Sequence, residues 1–278
     1  MNYRRQIVLL ALPVSLLLLV FFVTPIAYIF AKSLAQDGLK YYIKFFSDEF
    51  YRGILINTLF TALKVTVFTL ILGYPTAYFL ARTKMKIRNL LLIATVFPFL
   101  VSALVRAYGW MVILGENGIV NQILMRLHII DEPLKILYTM KGVTIGLVHL
   151  LIPYMILSIA SVVQNIDPNL ELAAESLGAN RWQTFTKVTF PLSLPGVITG
   201  CILVFTVSMT SFVTPKLLGG PKVKLMSTMV YQEVQITFNW SMATAISFIL
   251  LGTILLVLLL SNLLTSKAME RLGGGKNA

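Results

Sequence analysis

Charged residues are scarce in this chain, and their scarcity excludes a soluble globular protein. Asp, Glu, Lys and Arg make up 12% of the 278 residues, whereas soluble domains carry roughly 25%. Hydrophobic residues make up 57%, and the mean hydropathy is +0.83. These polar residues are too few to cover the surface of a water-soluble domain of this length. The composition therefore predicts an integral membrane protein with several spans.

Groups that carry catalytic chemistry are also few. The single cysteine, Cys201, excludes an intrachain disulfide and has no neighbour at metal-ligand spacing. His149 lacks a second histidine for a zinc site and a base or nucleophile to act with. No Gly-x-x-x-x-Gly-Lys-Ser/Thr sequence is present to bind ATP. We therefore predict that the chain is not an enzyme and binds neither a metal nor a cofactor.

The formal net charge of +12 would suggest a nucleic-acid partner if the protein were soluble. In this chain, however, basic residues flank apolar runs, and no DNA- or RNA-binding motif accompanies them. Basic residues in such positions fix the orientation of membrane spans. We therefore predict the lipid bilayer as a partner and no nucleic acid.

Six apolar segments are each long enough, at ~20 residues, to cross the hydrocarbon core as a helix. The runs are continuously apolar, which favours helices over the alternating strands of a barrel. We predict one all-α transmembrane domain over 1–278, with about six spans at 7–31, 55–80, 90–113, 142–163, 192–213 and 240–264.

Basic residues also indicate the orientation. The short connection after the second span is crowded with Arg82, Lys84, Lys86 and Arg88, and short basic loops stay in the cytoplasm. The apolar run from Ile7 is too long for a cleaved signal peptide. We therefore predict a multi-pass protein with cytoplasmic N- and C-termini.

No Asp or Glu lies inside the predicted spans, although an ion-coupled carrier usually needs an intramembrane carboxylate. His149 is expected to hydrogen-bond between helices, and Lys64, at mid-span, to face other helices or a cavity. Arg106 would cost ~2.5–3.5 kcal/mol at a helix centre. It is either an interface anchor beside Tyr108 and Trp110 or a gate residue in a pathway.

The loop over 165–191 has the signals of two short helices. Asp167 suits an N-cap, Pro168 a first helical residue, and Gly178 a left-handed C-terminal position. Asn180 and Gln183 fit a capping box that opens the second helix, which Pro191 and Pro195 are expected to separate from the next span. The first helix carries one face formed by Leu170, Ala173, Ala174 and Leu177. This face fits either lipid headgroups or a partner protein.

The same segment resembles the EAA loop of ABC importer permeases. That pattern reads Glu-Ala-Ala, three residues, Gly, nine residues, an aliphatic residue, any residue, and Leu-Pro. The matching positions are Ala173, Ala174, Gly178, Val188 and Phe190-Pro191. The first position departs from the pattern, because it is Leu172, with Glu171 one place earlier.

Other motifs resemble the spermidine/putrescine branch of that family: Asn57-Thr58, Gly73–Tyr78, Val105–Trp110, Gly118–Asn121, Ser211–Pro215 and Leu218–Gly220. The resemblance implies the type I ABC importer architecture in a bacterial inner membrane. It also implies a heterodimer with a second permease subunit, two cytoplasmic ATPase subunits that bind the ATP, and an extracytoplasmic solute-binding protein. The chain would then form half of a translocation pathway.

The resemblance also implies a set of ATPase-coupling residues, which is Glu171, Ala173, Ala174, Leu177, Gly178, Asn180 and Arg181. The ionisable and aromatic residues in and beside the spans give a candidate pathway or gate set, which is Lys64, Arg106, Tyr108, Trp110, Glu116, Glu233 and Trp240.

The cargo stays open at this point. A polyamine is a multivalent cation, so its recognition needs carboxylates and aromatic faces. Glu116 and Glu233 either form an outer vestibule with Tyr231 and Trp240 or are ordinary solvated loop charges, which is the simpler interpretation. The alternatives are another small organic solute, such as an opine or an amino-acid derivative, and a stand-alone membrane carrier or membrane enzyme.

Overall fold

The computed structural model describes residues 12–35, 39–83 and 85–271, and every regular element within these ranges is a helix. The α-helices are α1 (Thr24–Ala35), α2 (Lys40–Ser47), α3 (Glu49–Arg82), α4 (Met85–Leu100), α5 (Ala103–Leu114), α6 (Ile119–Arg126), α7 (Met140–Gln164), α8 (Pro168–Ser176), α9 (Arg181–Thr184), α10 (Phe190–Thr210), α11 (Val213–Gly219), α12 (Met226–Gln235) and α13 (Trp240–Arg271). Two π-helical turns, Leu19–Val23 and Phe185–Thr189, precede α1 and α10.

Five helical stretches within the described ranges are long and apolar enough to cross a membrane. They are Leu12–Ala31, Glu49–Arg82, Met140–Gln164, Arg181–Thr210 and Trp240–Leu263. A bent pair, Lys86–Leu100 and Ala103–Arg126, brings the number to six if it is one broken span. The predicted all-α membrane fold with about six spans is thereby confirmed. Residues 7–11 of the first predicted span and both chain termini lie outside the described residues.

The third predicted span, 90–113, differs most from its prediction. Its two halves meet at a break after Leu100 and are bent by 96°. Pro98 lies in the last turn of α4, and Ser102 before α5 has extended backbone angles (φ −51°, ψ 138°). The carbonyl of Pro98, which the broken helix leaves without an intrahelical donor, accepts a hydrogen bond from the Arg106 guanidinium. Arg106 thus stabilises the bend.

The fifth span begins much earlier than the predicted residue 192. Helix α9 continues through the π-helical turn Phe185–Thr189 into α10, so the apolar helix runs from Arg181 to Thr210. The prediction that Pro191 ends a separate short helix was therefore wrong. Pro191 lies in the first turn of α10 after the π-helical turn, where a proline is tolerated because hydrogen bonding is already rearranged.

The chain divides into two compact units. Unit 1 comprises the described residues up to Gly53 together with Met229–Gly252. Its largest buried aromatic side chain is Phe45, which contacts the rings of Phe46 and Tyr51 at centroid distances of 5.3 and 5.8 Å. The hydroxyls of Ser33 and Tyr42 are hydrogen-bonded at 2.9 Å.

Unit 2 comprises Ile54–Thr228 and the described residues from Thr253 onward. Its core is built on α7, whose fully buried Leu147, Leu151, Met155 and Ile159 recur every fourth residue. Helix α10 approaches α7 closely through two glycines. A Cβ atom on Gly196 would lie 2.8 Å from the Ser158 carbonyl oxygen, and one on Gly200 would lie 2.7 Å from the Met155 sulfur. Small residues at such contacts allow membrane helices to pack backbone against backbone.

Candidate functional site: the 165–191 loop and an intramembrane groove

The N-terminus of α8 is capped as predicted. The Asp167 side chain accepts a hydrogen bond of 2.9 Å from the backbone N–H of Asn169, and Pro168 occupies the first turn. A carboxylate at this end of a helix also faces the positive end of the helix dipole. The start of α8 is therefore fixed by local rules.

The C-terminus of α8 turns at Gly178, which has a φ of +88°. The N–H of Gly178 donates to the carbonyl of Glu175, and the N–H of Ala179 donates to that of Ala174. These two bonds define a Schellman motif, in which a left-handed residue ends the helix. No atom of the described chain lies within 4 Å of a Cβ built on Gly178. The glycine is therefore required by the backbone angle and not by crowding.

The predicted capping box after this turn is confirmed. The N–H of Gln183 donates to Asn180 Oδ1 at 2.8 Å, and the N–H of Asn180 donates to Gln183 Oε1 at 3.0 Å. These reciprocal bonds satisfy backbone donors that would otherwise be free at the start of α9. The loop thus has a defined shape on both sides of Gly178.

An apolar surface is exposed on this loop, and we name it the loop surface. Its most exposed members are Leu177, at 90% of its accessible area, and Trp182, at 71%, and Leu170 and Leu172 are also exposed. The predicted coupling residues Ala173, Gly178, Asn180 and Arg181 are exposed beside them, and Ala174 is half-buried. Side chains of this kind are rarely left in contact with water without a partner.

Glu171 was predicted to belong to the same coupling set, but its carboxylate faces the interior of unit 2. Oε1 accepts hydrogen bonds from Arg82 Nη2 at 2.8 Å and from the Thr189 hydroxyl at 2.9 Å. Oε2 accepts a bond from the Tyr78 hydroxyl at 3.3 Å. Arg82 Nη1 also donates to the Ile166 carbonyl at 3.0 Å. The carboxylate therefore joins α8 to α3 and to the π-helical turn.

A second contact joins α3 to the start of α10. The hydroxyls of Tyr74 and Ser193 are hydrogen-bonded at 2.8 Å. The Tyr74 ring also contacts those of Phe185 and Phe190, at centroid distances of 5.5 and 5.7 Å. This role of Tyr74 was not predicted from the sequence, although Tyr74, Tyr78 and Arg82 lie four residues apart and so share one helical face.

A groove of about 800 Å³ lies between α3, α5 and α7 in unit 2. Lys64 is exposed on this chain and lines the groove together with Trp110 and His149. Lys141 lines it too and was not a predicted site residue. The Trp110 indole N–H donates to His149 Nδ1 at 3.1 Å, which confirms that His149 hydrogen-bonds between helices. Among the described residues that line the groove there is no carboxylate. The ionisable groups of this described lining are two ammonium groups and an imidazole.

The other predicted pathway residues do not meet at this groove. The Arg106 guanidinium donates to the Pro98 carbonyl and does not line the groove, although its charge acts on His149, which does. Tyr108 and Glu116 are exposed. Trp240 is exposed in unit 1, where it lines a separate apolar cavity of about 490 Å³. The structure therefore brings together only Lys64 and Trp110 of the predicted set.

Glu233 is not a solvated loop charge, so the simpler interpretation was wrong for this residue. Its side chain is buried, with 4% of the residue exposed. Oε2 accepts a hydrogen bond of 2.6 Å from the Thr237 hydroxyl, and Oε1 lies 3.4 Å from the Tyr51 hydroxyl. Buried carboxylates require such donors because desolvation is costly. Within the described ranges, no three Asp, Glu, His or Cys residues form a metal-binding group.

Comparisons with known proteins agree with the helical membrane fold. Residues 69–269 match the family described as binding-protein-dependent transport system inner membrane component. The spermidine/putrescine transport system permease protein PotB of Haemophilus influenzae is 34% identical over 280 residues, which cover 97% of this chain and 98% of that protein. PotB of Escherichia coli is 37% identical over 226 residues, which cover 80% and 82%. These relatives are named as transport permeases and not as enzymes.

The fold is also found in a solved structure, a bacterial alginate ABC transporter in complex with alginate pentasaccharide-bound periplasmic protein. The aligned chain has a TM-score of 0.78 and 20% identity, and the match covers 95% of this chain and 96% of that one. At that identity the likeness concerns the fold alone. The family match and the near full-length relative decide the assignment: the chain belongs to the binding-protein-dependent transport system inner membrane components, the membrane-spanning permease subunits of ABC importers.

Proposed function

We propose that this permease subunit imports a polyamine of the spermidine or putrescine type. The relatives at 34% and 37% identity are named for those two solutes. The protein then forms half of the translocation pathway, and the groove beside Lys64 and Trp110 is its share of the wall. The carboxylates that a cationic cargo needs come from the second permease subunit or from the solute-binding protein, because the groove lining has none.

The loop surface carries the second part of the proposal. Leu177 and Trp182 are largely exposed beside a turn that Gly178 fixes, and a shaped apolar surface favours docking to a protein. In this proposal the docking partners are two cytoplasmic ATPase subunits, which also bind the ATP. The loop and both chain termini then lie on the cytoplasmic side of a bacterial inner membrane, and the solute-binding protein acts on the opposite side.

Substitution at Ala174 tests the docking. Ala174→Arg places a bulky charge within the face of Leu170, Ala173 and Leu177. We expect uptake and solute-stimulated ATP hydrolysis to be abolished, while insertion into the membrane is unchanged. The measurements are radiolabelled spermidine uptake into proteoliposomes that contain the whole complex and ATP hydrolysis by the same preparation.

The matched control is Glu175→Arg, which places the same side chain on the exposed flank of α8, one residue beyond that face. It should keep most of the uptake. If Ala174→Arg transported as well as the unsubstituted chain, the docking assignment would be lost. If the unsubstituted complex transported no polyamine, the cargo assignment would be lost while the permease assignment remained.

One observation favours a second cargo class. Lys64 and Lys141 put two ammonium groups on the groove and no carboxylate, which suits a solute that carries a carboxylate, such as an opine or an amino-acid derivative. Competition decides between the classes. Unlabelled putrescine should suppress spermidine uptake if the cargo is a polyamine, whereas a carboxylated solute should bind the solute-binding protein if it is not.

A further inference from the structure

One row of α3 side chains contacts the loop and the start of α10 along three successive turns. Tyr74, Tyr78 and Arg82 are spaced four residues apart, so their side chains follow one another along the helix. Tyr78 and Arg82 both bind Glu171 of α8, and Tyr74 binds Ser193 of α10, just beyond the loop. We name this row the α3 stripe.

An earlier stretch of α3 lines the groove. Lys64, Phe68 and Leu72 are groove residues and are also spaced four residues apart. They precede the α3 stripe along the helix, and the row that they form is turned from the stripe by roughly 80°, at about 100° per residue. The same helix therefore contacts the groove with one stretch and the loop with the next. A tilt or rotation of α3 by the loop would move the groove wall.

Glu171 is the loop residue that both Tyr78 and Arg82 of the α3 stripe bind. Its carboxylate accepts three hydrogen bonds, from α3 twice and from the π-helical turn once, and the side chains of Arg82 and Glu171 are only 19% and 16% exposed. Charge-assisted bonds that are sheltered from water are stronger than those at a surface. Removal of one partner would leave the other charge buried and unpaired.

The segment between α9 and α10 allows this contact to be adjusted. Thr189, which donates to Glu171, ends the π-helical turn Phe185–Thr189. Turns of this kind are rare and often occur at functional positions. In addition, Arg82 Nε is buried and has no hydrogen-bond acceptor within the described residues, so the network is not saturated in this arrangement.

We propose that Glu171 is a positioning residue, which together with the α3 stripe transmits displacement of the loop to α3 and so to the groove. The inference rests on the proposed function, since it requires an ATPase that moves the loop. In this proposal Glu171 does not contact the ATPase and instead connects the loop to α3 within this chain.

Glu171→Gln tests the link with little change of shape. We expect the variant to assemble with its partner subunits and to hydrolyse ATP at a basal rate within about twofold of the unsubstituted complex. Uptake should fall by about tenfold or more, the loss expected for one charge-assisted contact, and stimulation of hydrolysis by loaded solute-binding protein should disappear. The measurements are made on the whole complex, purified through a tag on this chain.

Arg82→Gln should reproduce this behaviour, and the double variant should be no worse than either single variant, because both remove the same link. Glu175→Gln, an exposed glutamate on the same helix, is the matched control and should leave uptake unchanged. In a Cys201→Ser background, bridging Arg82→Cys to Glu171→Cys with a bis-maleimide should restore the stimulation.

Three results would overturn the link: unchanged stimulation in Glu171→Gln, additive losses in the double variant, or loss of assembly, which would mark Glu171 as a purely structural residue. Failure of the proposed function would look different. It would appear in the unsubstituted complex as absent stimulation and absent uptake, whereas failure of the link appears only in the variants.

Discussion

Two glutamates in polar segments, Glu171 and Glu233, are largely withdrawn from water by neighbouring side chains. Each accepts a hydroxyl hydrogen bond from a threonine, and each has a tyrosine hydroxyl within 3.4 Å. A desolvated carboxylate is stable only with such donors. At the scale of the residue, whether such a carboxylate is exposed to water therefore depends on partners that are distant in sequence, such as Arg82 for Glu171.

Gly178→Ala should lower stability, because an alanine with φ near +88° is strained. The expected cost is about 1–2 kcal/mol, observed as a lower midpoint of thermal unfolding and as reduced uptake. Gly178→Asn should lose less stability than Gly178→Ala, since asparagine tolerates the left-handed region.

Gly53→Ala serves as the control, because Gly53 lies within α3 and, beyond its own helix backbone and chain neighbours, no described atom lies within 4 Å of a Cβ there. An equal loss in Gly53→Ala and Gly178→Ala would argue against a special role for the Schellman turn.

At the scale of the element, close packing of α10 against α7 organises unit 2. The contact depends on glycines of α10, which face the backbone and side chains of α7 at Ser158 and Met155. The same α10 is continuous with the loop through the π-helical turn. A helix so tightly packed at one end is suited to act as a fixed support for the loop at the other.

Gly196→Ala should weaken this packing. The added Cβ would lie 2.8 Å from the Ser158 carbonyl oxygen and 2.9 Å from a methyl group of Val162. Overpacking of this kind costs about 1–3 kcal/mol, measured as a lower unfolding midpoint in detergent.

In contrast, a Cβ on Gly252 would meet no described atom within 4 Å beyond its own helix backbone and chain neighbours. Gly252→Ala should therefore be neutral or stabilising by about 0.5–1 kcal/mol, because alanine favours the helix. If both alanine variants behaved alike, the close contact between α7 and α10 would not be a determinant of stability.

At the scale of the whole molecule, the distribution of charge bears on the cargo. The net charge is +12, and the described lining of the groove has Lys64 and Lys141 but no carboxylate. A cationic solute crossing this wall is repelled by it, so its attraction must come from other subunits. An anionic solute would be attracted by this chain directly.

Lys64→Gln distinguishes these cases. Removal of one ammonium group should change the interaction with a charge about 10 Å away by roughly 1 kcal/mol, or about fivefold in KM. The KM for spermidine should fall if the cargo is a polyamine, whereas the KM for a carboxylated solute should rise. Arg126→Gln, an exposed residue of α6 away from the groove, should change neither value. Opposite signs would reverse the cargo assignment.

The sequence predicted those features that depend on neighbouring residues. The caps at Asp167 and Asn180 and the left-handed turn at Gly178 follow rules that act within a few positions, and hydropathy alone indicated about six spans. It did not predict the break after Leu100, which depends on the guanidinium of Arg106 eight residues beyond Pro98. Nor did it predict the target of Glu171, since Arg82 is 89 residues away and only folding brings the two together.

The three tryptophans of the chain lie in three different environments, and this has an optical consequence. Trp110 has its indole N–H bound to His149 beside the groove, Trp182 is exposed on the loop surface, and Trp240 is exposed in unit 1. Indole emission moves to shorter wavelength when the ring leaves water. A spectrum of single-tryptophan variants therefore gives each region its own signal, so that docking at the loop and occupancy of the groove become separately visible without an added label.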